Sequence, residues 1–169
     1  MVDPLEHYRL RDRVLARSIL DRLIDEAPDR AVDPPVSFVD QVREVREAIR
    51  RDLEALLNTR RSPTTPPAAL SELKDALVSY GVDGIVSANL MTDQAKLRLA
   101  AAIERRIALF ETRLADVRVT ILKSRTMTER ALRMRIQATF RLHEGMPPIS
   151  FESTIDPSTQ RFLVEAGNG

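Results

Sequence analysis

Within residues 97–122, LRLAAAIERRIALFETRLADVRVTIL, the apolar period changes from helical to strand-like. Ile103, Ile107, Phe110 and Leu114 recur at helical spacing, which places one apolar stripe along a helix. Val117, Val119 and Ile121 then alternate with Arg118, Thr120 and Leu122, the pattern of a half-buried strand. Between the two periods sits Glu111-Thr112-Arg113. Segments upstream of this point read as helix, and segments downstream read as antiparallel sheet. The expected fold is therefore α+β, with N-terminal helices packed on a C-terminal four-stranded antiparallel sheet.

Upstream, Arg9 to Glu26 reads as an amphipathic helix with Leu15, Ile19 and Leu23 on one line and Leu20 and Ile24 beside it. Ala27-Pro28 ends it, because a residue before proline is pushed out of helical geometry, and Pro34-Pro35 marks a linker. Residues 1–36 are thus an arm and linker, and residues 37–169 the main domain. The arm helix either packs on its own domain or docks on a partner. A second helix is expected from Ser37, a candidate N-cap, to Leu57, with Arg43, Glu47, Arg50 and Glu54 on its exposed face. Asn58 suits a cap there. Arg60 and Arg61 suit either the helix C-terminus or contact with a phosphate or an acidic partner. Leu70, Leu73 and Leu77 predict a third, shorter helix stopped by Gly81, and Thr92-Asp93 predicts the start of the central one.

Downstream, Leu132, Met134, Ile136, Ala138, Phe140 and Leu142 alternate with Arg133, Arg135, Gln137, Thr139, Arg141 and His143. Ile149 to Ile155 continues the alternation, and Asp156-Pro157-Ser158-Thr159 turns the chain into a last strand from Arg161 to Glu165. Connections this short favour antiparallel neighbours. The arginines Arg133, Arg135 and Arg141 make a basic stripe, which Glu152 and Glu165 would neutralise by cross-strand pairing. The short last strand offers an edge that a partner's strand could join.

The chemistry-bearing residues are sparse. With no cysteine, disulfides and thiolate metal sites are excluded, and no metal site or cofactor is expected. His7 and His143 are the only histidines, and no HExxH, glycine-rich phosphate loop or GxSxG elbow is present. Glu104, Glu111, Glu152 and Asp156 supply carboxylates for glycoside hydrolysis, but no Trp is available to grip a sugar. A net charge of +1 argues against a nucleic-acid partner. No apolar run reaches the roughly 18 residues that span a bilayer, and the charged N-terminus is unlike a secretion signal, so no direct membrane insertion and a cytoplasmic location are expected.

Several segments together carry a resemblance. SILDRL at Ser18–Leu23, RRDLEALLNTRR at Arg50–Arg61 and LVSYGVDG at Leu77–Gly84 are followed by IERRIALFETRL at Ile103–Leu114 and by ISFESTIDPSTQRFLVE at Ile149–Glu165. In this order they resemble the TssE family of small baseplate wedge subunits of type VI secretion systems, related to the lysozyme-like wedge protein of contractile phage tails. The run Leu57-Asn58-Thr59-Arg60 favours the secretion branch. The family signature Glu-Pro-Arg stands here as Glu111-Thr112-Arg113. Proline would force its predecessor out of helical geometry, whereas threonine leaves the turn less fixed.

The resemblance implies a non-catalytic subunit that joins TssF and TssG, with TssK and the sheath subunits TssB and TssC as further partners, in a baseplate docked at the inner membrane. It implies a part in starting sheath assembly around the inner tube. It also marks Glu111 and Arg113 as partner-binding residues, which can project from the junction to meet a partner or else close an intramolecular salt bridge, with Arg60 and Arg61 as further candidates. A phage-type wedge subunit and, more remotely, a peptidoglycan glycosidase are the competing readings.

Overall fold

The computed structural model describes residues 18–24, 28–30, 37–63, 66–83, 92–123, 131–141, 148–156 and 158–167. The elements run α1 (Ile19–Leu23), α2 (Phe38–Asn58), two short 3-10 turns (Ser71–Lys74 and Leu77–Ser79), α3 (Asp93–Phe110), β1 (Leu114–Ile121), β2 (Leu132–Phe140), β3 (Ile149–Ile155) and β4 (Phe162–Ala166). Helices precede a four-stranded antiparallel sheet of order β1-β2-β3-β4, which is the α+β arrangement read from the sequence. The chain divides into two compact units, Met1–Ile49 and Arg50–Gly169, with the boundary inside α2.

In the first unit, Ser18 caps α1. Its Oγ accepts the Asp21 N–H at 3.1 Å and donates to the Asp21 carboxylate at 2.6 Å. Ile19, Leu20, Leu23 and Ile24 are all exposed. The remainder of the expected arm helix, His7 and the Pro34-Pro35 linker lie outside the described residues. Ser37 opens α2 in the expected way, accepting the Asp40 N–H at 3.2 Å, and Val42, Val45, Ala48 and Ile49 are buried along that half of the helix.

In the second unit, the end of α2 buries Leu53, Leu56 and Leu57. Thr59 closes the helix by donating its hydroxyl to the Ala55 carbonyl at 2.7 Å. Asn58 does not take the capping role expected of it, because its side chain is engaged by β4. Arg60 and Val82 then form a short parallel bridge, in which Val82 N–H donates to Thr59 O and Arg61 N–H to Val82 O, each at 2.9 Å. Gly81 makes this approach possible. Its φ is +98°, and a Cβ there would stand 2.3 Å from the Thr59 carbonyl oxygen. The third helix expected between Leu70 and Gly81 is not formed. Leu70 and Leu77 are exposed, so no apolar face is buried to stabilise so short a helix, and two 3-10 turns stand in its place.

Thr92 caps α3 by accepting the Ala95 N–H, and Ile103 and Ile107 are fully buried as α3 packs against β1. Leu114, also fully buried, continues the helical stripe from the first residue of the strand. The sheet turns Met134, Ile136, Ala138 and Phe140 of β2, Phe151 and Ile155 of β3, and Phe162 and Val164 of β4 into the core. β1 carries an irregularity between Ala115 and Arg118, where Asp116 has a φ of +52°. Between β3 and β4, the Asp156 carboxylate accepts both the N–H and the hydroxyl of Ser158, an Asx-type turn.

Candidate functional site

The helix-to-sheet switch is built around one carboxylate. Glu111 makes the last helical bond of α3, its N–H donating to Ile107 O at 2.8 Å, and then leaves helical geometry at φ −104° and ψ 80°. Its carbonyl accepts the Leu114 N–H at 3.1 Å, and its side chain accepts the Arg113 N–H at 3.2 Å. The turn is thus held by hydrogen bonds from Glu111, and Thr112 in the proline position does not keep the helix from ending there.

The same carboxylate receives the Arg113 guanidinium as a fork, with Nε donating to Oε1 at 2.6 Å and Nη2 to Oε2 at 2.5 Å. Nη2 also donates to Asp52 Oδ2 on α2 at 2.5 Å. The hydrogen bond to Glu111 raises the Arg113 pKa, with further help from Asp52 and against the effect of burial. Tyr80 packs edge-on against Phe110, ring centroids 5.1 Å apart at 71°. Its phenol is pushed up by burial and then by the charges of Asp52 and Glu111.

Of the two arrangements open to the junction pair, this geometry shows the intramolecular salt bridge. Glu111 is only 6% exposed and the Arg113 side chain 15%. The two bond to each other because a carboxylate on the last helical turn and a guanidinium two residues later face the same core. Asp52 is the more exposed member of the cluster.

Arg60 and Arg61 lie past the end of α2. Arg61 pairs with Asp83 at 2.9 Å and Arg60 is exposed. Arg106 of α3 donates to the Ser79 carbonyl at 3.2 Å, and its pKa is lowered by burial and then by the neighbouring Arg61 charge. Among the described residues, no hydrogen bond or ion pair joins Arg60 or Arg61 to the Glu111–Arg113 cluster.

On the sheet, Glu152 receives Arg135 at 2.8 Å and Arg133 at 3.1 Å, as cross-strand pairing predicts. These contacts, the Arg135 hydrogen bond foremost, hold the Glu152 carboxyl below its ordinary range. Glu165 instead stands opposite Glu152 in the register. Arg141 donates to the Leu114 carbonyl at 3.4 Å, and His143 lies outside the described residues.

The edge of β4, expected to be open, is covered at Phe162 and Val164. Asn58 donates to Phe162 O at 2.8 Å and accepts the Phe162 N–H at 2.9 Å. Glu54 accepts the Val164 N–H at 3.3 Å, and Arg50 donates to Val164 O at 3.0 Å. At the opposite edge Glu104 accepts the Val119 N–H of β1 at 2.7 Å. Sequence reasoning missed Asp52, Tyr80 and these edge contacts. The only signal was the polar row Arg50, Glu54, Asn58 at four-residue spacing, which also fits a solvated helix face.

Among the described residues no group of three or more His, Cys, Asp or Glu is placed to hold a metal ion, and no helix is long and apolar enough to cross a membrane. A family model described as baseplate wedge protein gp25 matches residues 43–144, more than half of the chain, from the first turns of α2 through the Glu111–Arg113 junction and past β2. No curated protein matches it.

Proposed function

The chain belongs to the baseplate wedge protein gp25 family, and on that footing we propose that it is the TssE-type wedge subunit of a type VI secretion system. It works as a non-catalytic structural part that joins TssF and TssG and starts assembly of the contractile sheath around the inner tube. The family match across residues 43–144 carries this reading. The run Leu57-Asn58-Thr59-Arg60 inclines it toward the secretion branch. A phage-type contractile tail subunit is the second reading, favoured by the description of the matched family itself.

The contacts assigned to this role follow from exposure and charge. Ile19, Leu20, Leu23 and Ile24 on α1 offer an apolar strip to a wedge partner. Arg60 and Arg61 offer cations beyond the end of α2. Asp52, the more exposed member of the junction cluster, offers the partner a carboxylate that the buried Glu111–Arg113 pair holds in place. TssK, TssB and TssC are the further neighbours in a cytoplasmic baseplate at the inner membrane.

Co-expression with TssF and TssG tests the proposal. The tagged chain is expected to retain both through purification, and the charge-reversed variant Arg60→Glu, at the exposed member of the pair, to lose them while melting like the parent. Retention of phage tail components in place of TssF and TssG would move the assignment to the second reading. Purified chain that clears a peptidoglycan suspension would contradict the non-catalytic role.

A further inference from the structure

The two sides of β4 are occupied in different ways. Toward β3 it pairs by backbone, with Arg161 O accepting the Asp156 N–H at 3.0 Å and Gly167 N–H donating to Ser150 O at 2.8 Å. Alternation along an antiparallel strand then turns the N–H and C=O of Phe162 and Val164 away from β3, toward the outer side of the sheet. On a bare edge those groups template the addition of another strand. Here all four are bonded to side chains of α2: Phe162 N–H and C=O to Asn58, Val164 N–H to Glu54, and Val164 C=O to Arg50.

The spacing explains how a helix can do this. Four residues of α-helix rise about 6 Å, and two residues of strand rise about 6.8 Å. Side chains at positions 54 and 58 therefore keep step with Val164 and Phe162, and Arg50, one turn earlier on the helix, also reaches Val164. Asn58 presents one donor and one acceptor, as a peptide unit does. Arg50 and Glu54 bond to each other at 2.8 Å, which fixes both for their contacts with Val164.

We infer that Arg50, Glu54 and Asn58 form an edge guard, which substitutes for a fifth strand and keeps a second copy of this chain from pairing along β4. A second copy is the occupant that the exposed edge would fit. A two-fold axis at Val164 sets Phe162 opposite Ala166 and Leu163 opposite Glu165 of the other copy, so no like charges meet. Leu163, which is exposed, would gain cover in that pairing.

The test is the solution mass of Arg50→Ala/Glu54→Ala/Asn58→Ala beside the parent chain, by light scattering over a concentration series. The guardless variant is expected to double its mass at concentrations where the parent keeps its own. Adding Leu163→Glu, which places two carboxylates opposite each other across the new pair, is expected to restore the parental mass. A folded guardless variant with the parental mass at every concentration overturns the inference. Amide exchange of the parent chain decides the matter if that variant does not fold. The Phe162 and Val164 amides are expected to exchange as slowly as those of Leu163 and Glu165, and exchange at the rate of an unprotected edge overturns the guard.

Discussion

The Glu111–Arg113–Asp52 cluster and the Arg133–Glu152–Arg135 cluster use the same two chemical groups in different surroundings. At the junction the carboxylate and guanidinium side chains are 8% and 15% exposed. On the sheet the Glu152 side chain is 30% and its closer partner, Arg135, 42% exposed. Water reaches Glu152 and Arg135 in the second place, although Arg133 is only 14% exposed, and reaches neither side chain of the pair in the first. Geometry alone therefore does not rank an ion pair. Removing one member of a buried pair leaves a charge without solvent, whereas an exposed pair is worth little.

The largest effect is therefore expected at Arg113. Arg113→Ala should lower the unfolding free energy by about 3–5 kcal/mol, because Glu111 is left buried beside Asp52. Arg113→Lys should fall between that variant and the parent, since an ammonium cannot reproduce the fork. Urea denaturation checks both. An Arg113→Ala chain as stable as the parent would put the two clusters in one class.

Much of this contrast was hidden in the sequence, and the reasons are specific. The switch of period after Phe110 fixed where α3 ends and β1 begins, because apolar spacing is local information. The strands follow for the same reason, and so does the Arg133–Glu152 and Arg135–Glu152 pairing, because short connections make neighbouring strands antiparallel. Asp52 lies 61 residues from Arg113, and no local pattern announces a contact at that range. Arg50, Glu54 and Asn58 look like a solvated face until β4 is laid beside them. The segment from Leu70 to Gly81 misled, since leucines at helical spacing are stable as a helix only when they are buried, and Leu70 and Leu77 are not.

A smaller effect is expected on the sheet. Glu152→Gln should cost less than about 1 kcal/mol. Its difference from the parent should shrink in 1 M salt, where screening acts within about 3 Å, while the cost of Arg113→Ala persists. The Glu152 carboxyl is held below its ordinary value of 4.5. Its contribution to stability is thus fully present above pH 4.5 and is lost as pH falls through the lower folded value. Melting curves of parent and Glu152→Gln chains should converge in acid. A gap that widens there would reverse the sign assigned to this carboxylate.

The smallest effect is spectroscopic. Tyr80 ionises above its ordinary value of 10.0, through burial first and then through Asp52 and Glu111. Asp52→Asn removes one of the charges that oppose the phenolate, so the Tyr80 midpoint should move down. Tyrosinate absorbance in a Tyr8→Phe background reads this directly. An unmoved midpoint would mean that the junction charges do not reach the ring.

The Glu111–Arg113 pair holds the helix-to-sheet junction from inside. Urea unfolding of Arg113→Met beside Asp52→Asn/Glu111→Gln/Arg113→Met tests it most directly, since the second variant removes the guanidinium together with both carboxylate charges. A loss of about 3–5 kcal/mol is expected for the single variant, much of it regained in the neutralised one. An Arg113→Met chain that unfolds at the parental midpoint with the parental slope would contradict it.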